Sequence, residues 1–395
     1  MSDLDLNDTG TVPSPEGGWS ESTETLNNAI IVPPAVSDFV QEAGVLDADG
    51  GYCPRGALWR RHRPITVRPE MPGSIDETIP GRWLWGGVLW AHFGHFLVES
   101  VSRLWALNTL DRPVDGILFM PKRPRVGSET RGYQAAFVDL LSPGLPIRSL
   151  DRPVRVEELV VPGQGFALGP AVIGTPSFRK AMHDMFARHI TPDGPEKLYI
   201  SRSKLGLHKG GLLGEEKLET YLEPEGYEIF HPQDHDLPTQ IARYKAARQV
   251  IAVDGSALHL FAMVGRPDQQ VAMILRRKSG ASDQLTENVA TFCDRRPLVI
   301  DALRTEWLRA DNTRAKRLSF GELDHAATGD ALRAEGFVAE GVDWQPLTEE
   351  ERRESLSSKG IDTDAFVESP KFIRQRRRAT RQARRARRAA AQSSN

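Results

Sequence analysis

The chain has 395 residues, enough for two ordinary domains with tails, and its 39% apolar and 26% charged residues exclude a wholly disordered protein. The net charge of −2 hides an asymmetry: Met1 to Pro54 carries ten acidic residues and no Lys or Arg, whereas Lys371 to Asn395 carries ten Lys or Arg and no acid. Without that basic tail, 41 basic residues face 53 acidic ones, a net of −12, so body and tail are separate objects.

Residues 1–28 are rich in Asp, Glu, Ser, Thr, Gly and Pro. They offer too little apolar surface to offset chain entropy and are expected to be disordered. No basic segment followed by an apolar run opens the chain, and no apolar stretch approaches the roughly 18 residues that cross a bilayer. A cytoplasmic protein without a transmembrane segment is expected. Cys53 and Cys293 stand far apart, which argues against a disulfide framework or a thiolate zinc site.

Structure is expected from Ala29 onward. An extended run covers Trp83 to Trp90, a helix about Gly94 to Leu110, a strand Ile117 to Met120, an extended piece Glu158 to Val161, and a helix Ser177 to His189. The breaker string Thr191-Pro192-Asp193-Gly194-Pro195 then separates residues 29–190 from 191–300. In the second unit, strands at 198–200, 227–230, 249–253 and 271–275 alternate with helices at 215–222, 239–247 and 257–264. That alternation indicates a parallel sheet covered on both faces, a Rossmann-like α/β domain. Residues 301–368 read as mostly helical, and 369–395 as a basic tail.

Two loops of the second unit suit an anion. The strand Val250–Val253 runs into Asp254-Gly255-Ser256 and straight into an apolar helix. Ligands of doubly wound sheets lie at the carboxyl ends of strands, where a helix N-terminus presents free N–H groups. Gly255 would let backbone approach a phosphate, with Ser256, Ala257 and His259 beside it. An ordinary βα turn capped by Ser256 fits the same spacing. After the first strand of this unit comes Ser201-Arg202-Ser203-Lys204, whose cations could neutralise a diphosphate or simply be solvated.

In the first unit, Trp90 to Trp105 is apolar except for a stripe of His95, Glu99, Ser102 and Arg103 at helical spacing, with His92 just before it. A carboxylate that orients an imidazole makes a proton acceptor of His95; a structural pair reads from the same residues. The four tryptophans Trp83, Trp85, Trp90 and Trp105 read as core more than as sugar-stacking platforms. The D-x-D strings at Asp3–Asp5, Asp47–Asp49, Asp234–Asp236 and Asp362–Asp364 read as solvated turns, so no metal site is expected.

These segments together resemble glycosyltransferase family 61. Phe93 to Trp105 is similar to its aromatic-Gly-His-Phe-Leu block with Glu-Ser and Arg-Leu-Trp. Ile200 to Ser203, followed by 215–222 and Gly226 to Ile229, is similar to its Ile-Ser-Arg-Ser block. Asp254 to His259 is similar to its Glu-Gly-Ser-Ala-Leu-His block, with Asp254 departing from the usual Glu or His. The ordered set spans about residues 80 to 275. The resemblance implies a GT-B-like α/β enzyme with two Rossmann-like halves and a cleft between them. It implies inverting, metal-independent transfer from a nucleoside-diphosphate sugar, UDP-sugar first, without a further cofactor. Catalytic roles would fall to His95 and Glu99 with Asp254 in reserve, donor binding to Arg202, Ser203, Lys204, Gly255, Ser256, Ala257 and His259, and the acceptor side to His92 and Arg103. The acceptor would be a glycan or lipid-linked precursor of a surface or capsular polysaccharide.

The basic stretch Lys371 to Arg388 suits contact with anionic lipid at the inner membrane face, binding of nucleic acid, or plain solvation. A non-catalytic nucleotide- or nucleic-acid-binding protein is the rival reading. No G-x-G-x-x-G follows a strand, which excludes a dinucleotide-dependent dehydrogenase.

Overall fold

The computed structural model describes residues 12–169, 173–206, 209–277, 279–341 and 343–393, a mixed α/β protein. The early strands are β1 (Thr23–Val32), β2 (Gly44–Leu46), β3 (Thr78–Leu89), β4 (Gly116–Pro121), β5 (Ile147–Ser149) and β6 (Val154–Pro162). They form one sheet in the order β2-β1-β6-β3-β4-β5. β6, β3, β4 and β5 run parallel, while β1 lies antiparallel to both β6 and β2.

Strand β1 corrects the expectation of disorder to residue 28; only residues 1–11 of that segment lie outside the described residues. Its polar beginning, Thr23 to Asn27, pairs backbone to backbone with Glu158 to Pro162, and its end buries Ala29, Ile30 and Ile31 completely. Ladder hydrogen bonds leave no mark on side-chain composition, which is why the strand is invisible in a polar sequence.

One face of this sheet is covered by α1 (Gly132–Leu141) and α2 (Pro176–Asp184), through Phe137, Val138, Phe178 and Met182. The other face, with Trp85, Leu118 and Val156, meets Ala43, Val45, Cys53, Leu58 and Ile65 from the segment between β1 and β3. Helices on one face and irregular chain on the other, with an antiparallel strand inside, depart from the doubly wound half expected here. Trp85 and Trp105 are core residues.

The expected helix over 94–110 is broken into an α-turn at Phe93–His95, a π-turn at Phe96–Ser100 and a 3₁₀ turn at Leu104–Asn108. Its polar side chains turn back on the main chain. The Ser100 hydroxyl donates to the Val88 carbonyl and accepts from Trp90 N, and Ser102 donates to the Glu99 carbonyl at 2.7 Å. Such bonds compete with the helical ladder, and π-turns often mark functional positions.

The second half follows the expected alternation closely. Its elements are β7 (Lys197–Ile200), β8 (Gly211–Leu213), α3 (Glu215–Leu222), β9 (Glu228–Phe230), α4 (Leu237–Ala246), β10 (Gln249–Val253), α5 (Ala257–Val264), β11 (Gln270–Ile274), α6 (Gly280–Cys293) and β12 (Leu298–Ile300). Five strands form a fully parallel sheet ordered β9-β7-β10-β11-β12. Leu198, Val250 and Met273 share one core with Ile241 of α4, Phe261 of α5, Val289 of α6 and the helical side of the first half. Tyr199, Ile251 and Ala272 pack on the opposite face with Leu218 and Leu222 of α3.

Residues 301–368 are not mostly helical. β13 (Leu303–Arg309), β14 (Phe320–Leu323), α7 (His325–Ala334), α8 (Glu349–Ser358) and β15 (Phe366–Glu368) follow, and the strands join β8 in a sheet ordered β8-β14-β13-β15. Charge hid these strands: Glu322 is buried in β14 between Arg304 and Arg352. The segment packs on the second half, with Leu332 and Trp344 beside Tyr199 and Leu218. The basic tail forms α9 (Pro370–Ser393). Among the described residues no helix is long and apolar enough to cross a membrane.

Candidate active site

In the parallel sheet, β7 connects onward to β9 on one side while β10 connects to β11 on the other. The chain therefore changes direction between two neighbouring strands, and a crevice opens at their carboxyl ends. Ser201-Arg202 follows β7, Asp254-Gly255-Ser256 follows β10, and Arg276-Arg277 comes shortly after β11. All of these belong to the second half; they line a cleft of about 1440 Å³ whose opposite wall comes from the first half, including His92, His95 and Glu99. The walls come close beside Gly94, where an added Cβ would stand 3.1 Å from Cβ of Ser256.

The structure brings His95 and Glu99 together, with Nδ1 3.3 Å from Oε1. Glu99 is buried and receives a fork from Arg60, Nε to Oε1 at 2.8 Å and Nη2 to Oε2 at 3.0 Å. His95 is 43% exposed and stacks on Trp90 at 4.5 Å. With a proton on Nδ1 facing the carboxylate, Nε2 carries the lone pair. α1 holds the approach to this turn, as Tyr133 OH donates to the Ala91 carbonyl and Gln134 to that of Trp90. His92 is kept neutral: burial first, then His95, Lys209 and Arg317, lowers its pKa to about 4.

On the facing wall, Arg202 packs against Gly255. A Cβ there would lie 2.7 Å from Arg202 Nη1, so the glycine makes room for the guanidinium. Burial and the neighbouring Arg276 pull the Arg202 pKa down to about 10, which leaves it cationic at neutral pH, and its Nε has no partner among the described residues. Arg276 is buried, with Nη1 also unpartnered among the described residues. Such groups carry a desolvation cost that an anion would relieve. Ser256 makes no side-chain capping bond, and Ala257 opens α5 on the cleft wall. His259 also lines the cleft; its Nδ1 meets Asn288 Oδ1 at 3.0 Å, and burial lowers its pKa.

Four expected site residues are placed otherwise. Asp254 is buried, with Oδ1 accepting from Arg276 N and Oδ2 from Ser282 Oγ, each at 3.0 Å. Arg276 Nε in turn donates to the Asp254 carbonyl. Both carboxylate oxygens are engaged, so Asp254 holds Arg276 and is not a free base. Arg103 is fully buried, clamping the carbonyls of Pro162 and Ala57 behind β3. Ser203 bonds back to Ser201 and Lys204 is exposed, and neither forms part of the cleft wall.

The sequence reading missed the larger share of the cations here: Lys209, Arg276, Arg277 and Arg317, and on the first-half wall Arg60, Arg61, Arg63, Lys122, Arg123, Arg125 and Arg131. Arg276-Arg277 could have been found, since a basic pair just after a buried parallel strand is the same signal as Arg202. The first-half group comes from segments distant in sequence and has no local signature. Of the D-x-D strings, Asp47 closes a turn onto Asp49 and Gly51, Asp236 caps α4 through Thr239 N, and Asp3–Asp5 lies outside the described residues. Among the described residues no group of three His, Cys, Asp or Glu is arranged to hold a metal.

Comparison with known proteins matches residues 93–271 to the family model described as Glycosyltransferase 61, a span from the start of the His95 turn into β11. No curated protein matches the chain.

Proposed function

We propose that this glycosyltransferase, whose residues 93–271 carry the family 61 match, moves a sugar from a nucleoside-diphosphate donor, UDP first, to a hydroxyl of a glycan or lipid-linked acceptor. One observation carries the reading: a proton-accepting pair on one wall of the cleft faces unpartnered, buried guanidinium nitrogens on the other. The acceptor oxygen attacks the anomeric carbon, its proton passes to His95 Nε2, and the bond from that carbon to the diphosphate oxygen breaks with its electron pair. Attack opposite the leaving group inverts the anomeric centre. Glu99 orients the imidazole and stabilises the imidazolium, while the Arg60 fork holds the carboxylate in place. Arg202 and Arg276, with the N-terminus of α5, take up the charge on the leaving diphosphate, a role a divalent ion fills elsewhere. Ser256 and His259 position the donor, and His92 the acceptor. A GT-B-like arrangement, action on surface polysaccharide at the cytoplasmic face, and the domain divisions at 190, 300 and 368 belong to the same proposal.

A thermal-shift panel on the full chain with UDP, GDP, CMP and ADP, with EDTA or manganese, tests it. One nucleoside diphosphate at about 100 times its Kd should add roughly 2.7 kcal/mol, a rise of several degrees. The rise should survive EDTA and vanish in Arg202→Ala. No rise with any nucleotide overturns the proposal, and a rise only with manganese overturns its metal-free form.

A further inference from the structure

Apart from the diphosphate-facing arginines, the cleft holds a second set of cations that the chemistry above leaves idle. On the first-half wall, Arg60 is spent on Glu99, and Lys122 is saturated by Gln41 and the carbonyls of Asp38 and Phe39. Arg61 meets the side-chain amide of Gln284; Arg63, Arg123, Arg125 and Arg131 remain, all exposed, all on the cleft wall, and without a carboxylate partner among the described residues. Arg63 lies over the Phe39 ring at 4.7 Å. Arg123 and Arg125 sit just beyond β4, and Arg131 immediately precedes α1.

Four like charges on one wall repel one another, and the rest of the body is acidic, with a net of −12 without the tail. A concave surface of one sign focuses the field and concentrates ligands of the other. The donor's diphosphate is already answered by the opposite wall. Trp90 lines the same cleft, and its indole N–H is buried without a partner among the described residues.

We infer that Arg63, Arg123, Arg125 and Arg131 form a second anion subsite that binds an acceptor saccharide bearing a carboxylate or phosphate group. This rests on the transferase reading and adds the acceptor's chemistry to it. Guanidinium forks suit either anion, and either group would bring a neighbouring sugar hydroxyl toward His95.

The test is isothermal titration of the full chain, saturated with UDP, with two matched pairs of probes. One is hyaluronan tetrasaccharide and its carboxyl-reduced twin; the other is maltotetraose 1-phosphate and maltotetraose. The acidic member of at least one pair should bind at least about tenfold tighter than its neutral twin at low salt, falling with added salt. Which pair responds identifies the anion. Arg125→Gln/Arg131→Gln, at exposed positions, should erase the preference and leave the UDP Kd unchanged. Equal affinity within both pairs, or binding of none of the four probes, overturns the inference. So does a double variant that loses UDP together with the acidic probe, because the cluster would then serve the donor. Failure of UDP to bind while the acid preference persists sinks the donor reading instead.

Discussion

Gly255 and Arg202 occupy one another's space, and the consequence is measurable. An added Cβ would press on Nη1 at 2.7 Å and on Cδ at 3.3 Å. The nearest atom is the far end of a flexible side chain, so Gly255→Ala should fold with a melting temperature within about 2 °C of the parent. The guanidinium must swing away, however, and the charge-assisted bonds it offers a diphosphate are each worth about 1.5–3 kcal/mol. The expected result is a nucleotide Kd weakened by tenfold or more by calorimetry, with little change in melting. An unchanged Kd would show that Arg202 does not meet the phosphates. The neighbouring Asp254 marks how far residue-level reading reaches. Its position at the end of a strand is legible, but its role depends on Arg276 and Ser282, 22 and 28 residues further on.

The junction of β7 with α3 carries its own titration. Glu215, the first residue of α3, accepts from Arg202 N at 2.6 Å and Tyr199 OH at 3.0 Å through Oε1, while its buried Oε2 has no partner. Burial raises its pKa from 4.5 to about 7. Between those values the folded chain keeps a proton that the unfolded chain has released, so this group's contribution to stability falls as pH rises. Glu215→Gln keeps the accepting oxygen and removes the ionisation. It should melt close to the parent near pH 5 and several degrees higher at pH 8, a gap approaching roughly 3 kcal/mol. Parallel melting curves for the two proteins across that range would refute the assignment. Elements of this half were legible because each repeats one local pattern, a short apolar strand and an amphipathic helix. α3, β10 and α5 begin and end where the sequence places them. The His95 segment was not, because its bends arise from Ser100 reaching Val88 and Arg103 reaching Ala57 and Pro162, contacts between distant parts of the chain.

At the scale of the molecule, the two halves share a continuous apolar core, with Phe96, Phe137 and Phe178 in the same cluster as Val250, Phe261 and Phe292. The cleft walls are thus backed by common packing, and the acidic body surrounds a basic cleft. The tail is attached at its root: Phe372 is buried, and Arg376 reaches Glu368 and the Arg304 carbonyl, whereas residues 377–385 are exposed. A chain ending at Arg378 keeps that root and loses five arginines, moving the net charge from −2 to −7. It should melt within about 2 °C of the parent and bind nucleotide equally, while its retention on heparin falls. A chain ending at Glu368 also exposes the pocket of Phe372. Losing that burial costs on the order of 2 kcal/mol and should lower melting by several degrees. Equal melting of the two shortened chains would mean that α9 is not anchored through Phe372. A fall in nucleotide affinity on cutting at Arg378 would instead assign the exposed part of α9 to the cleft's own field.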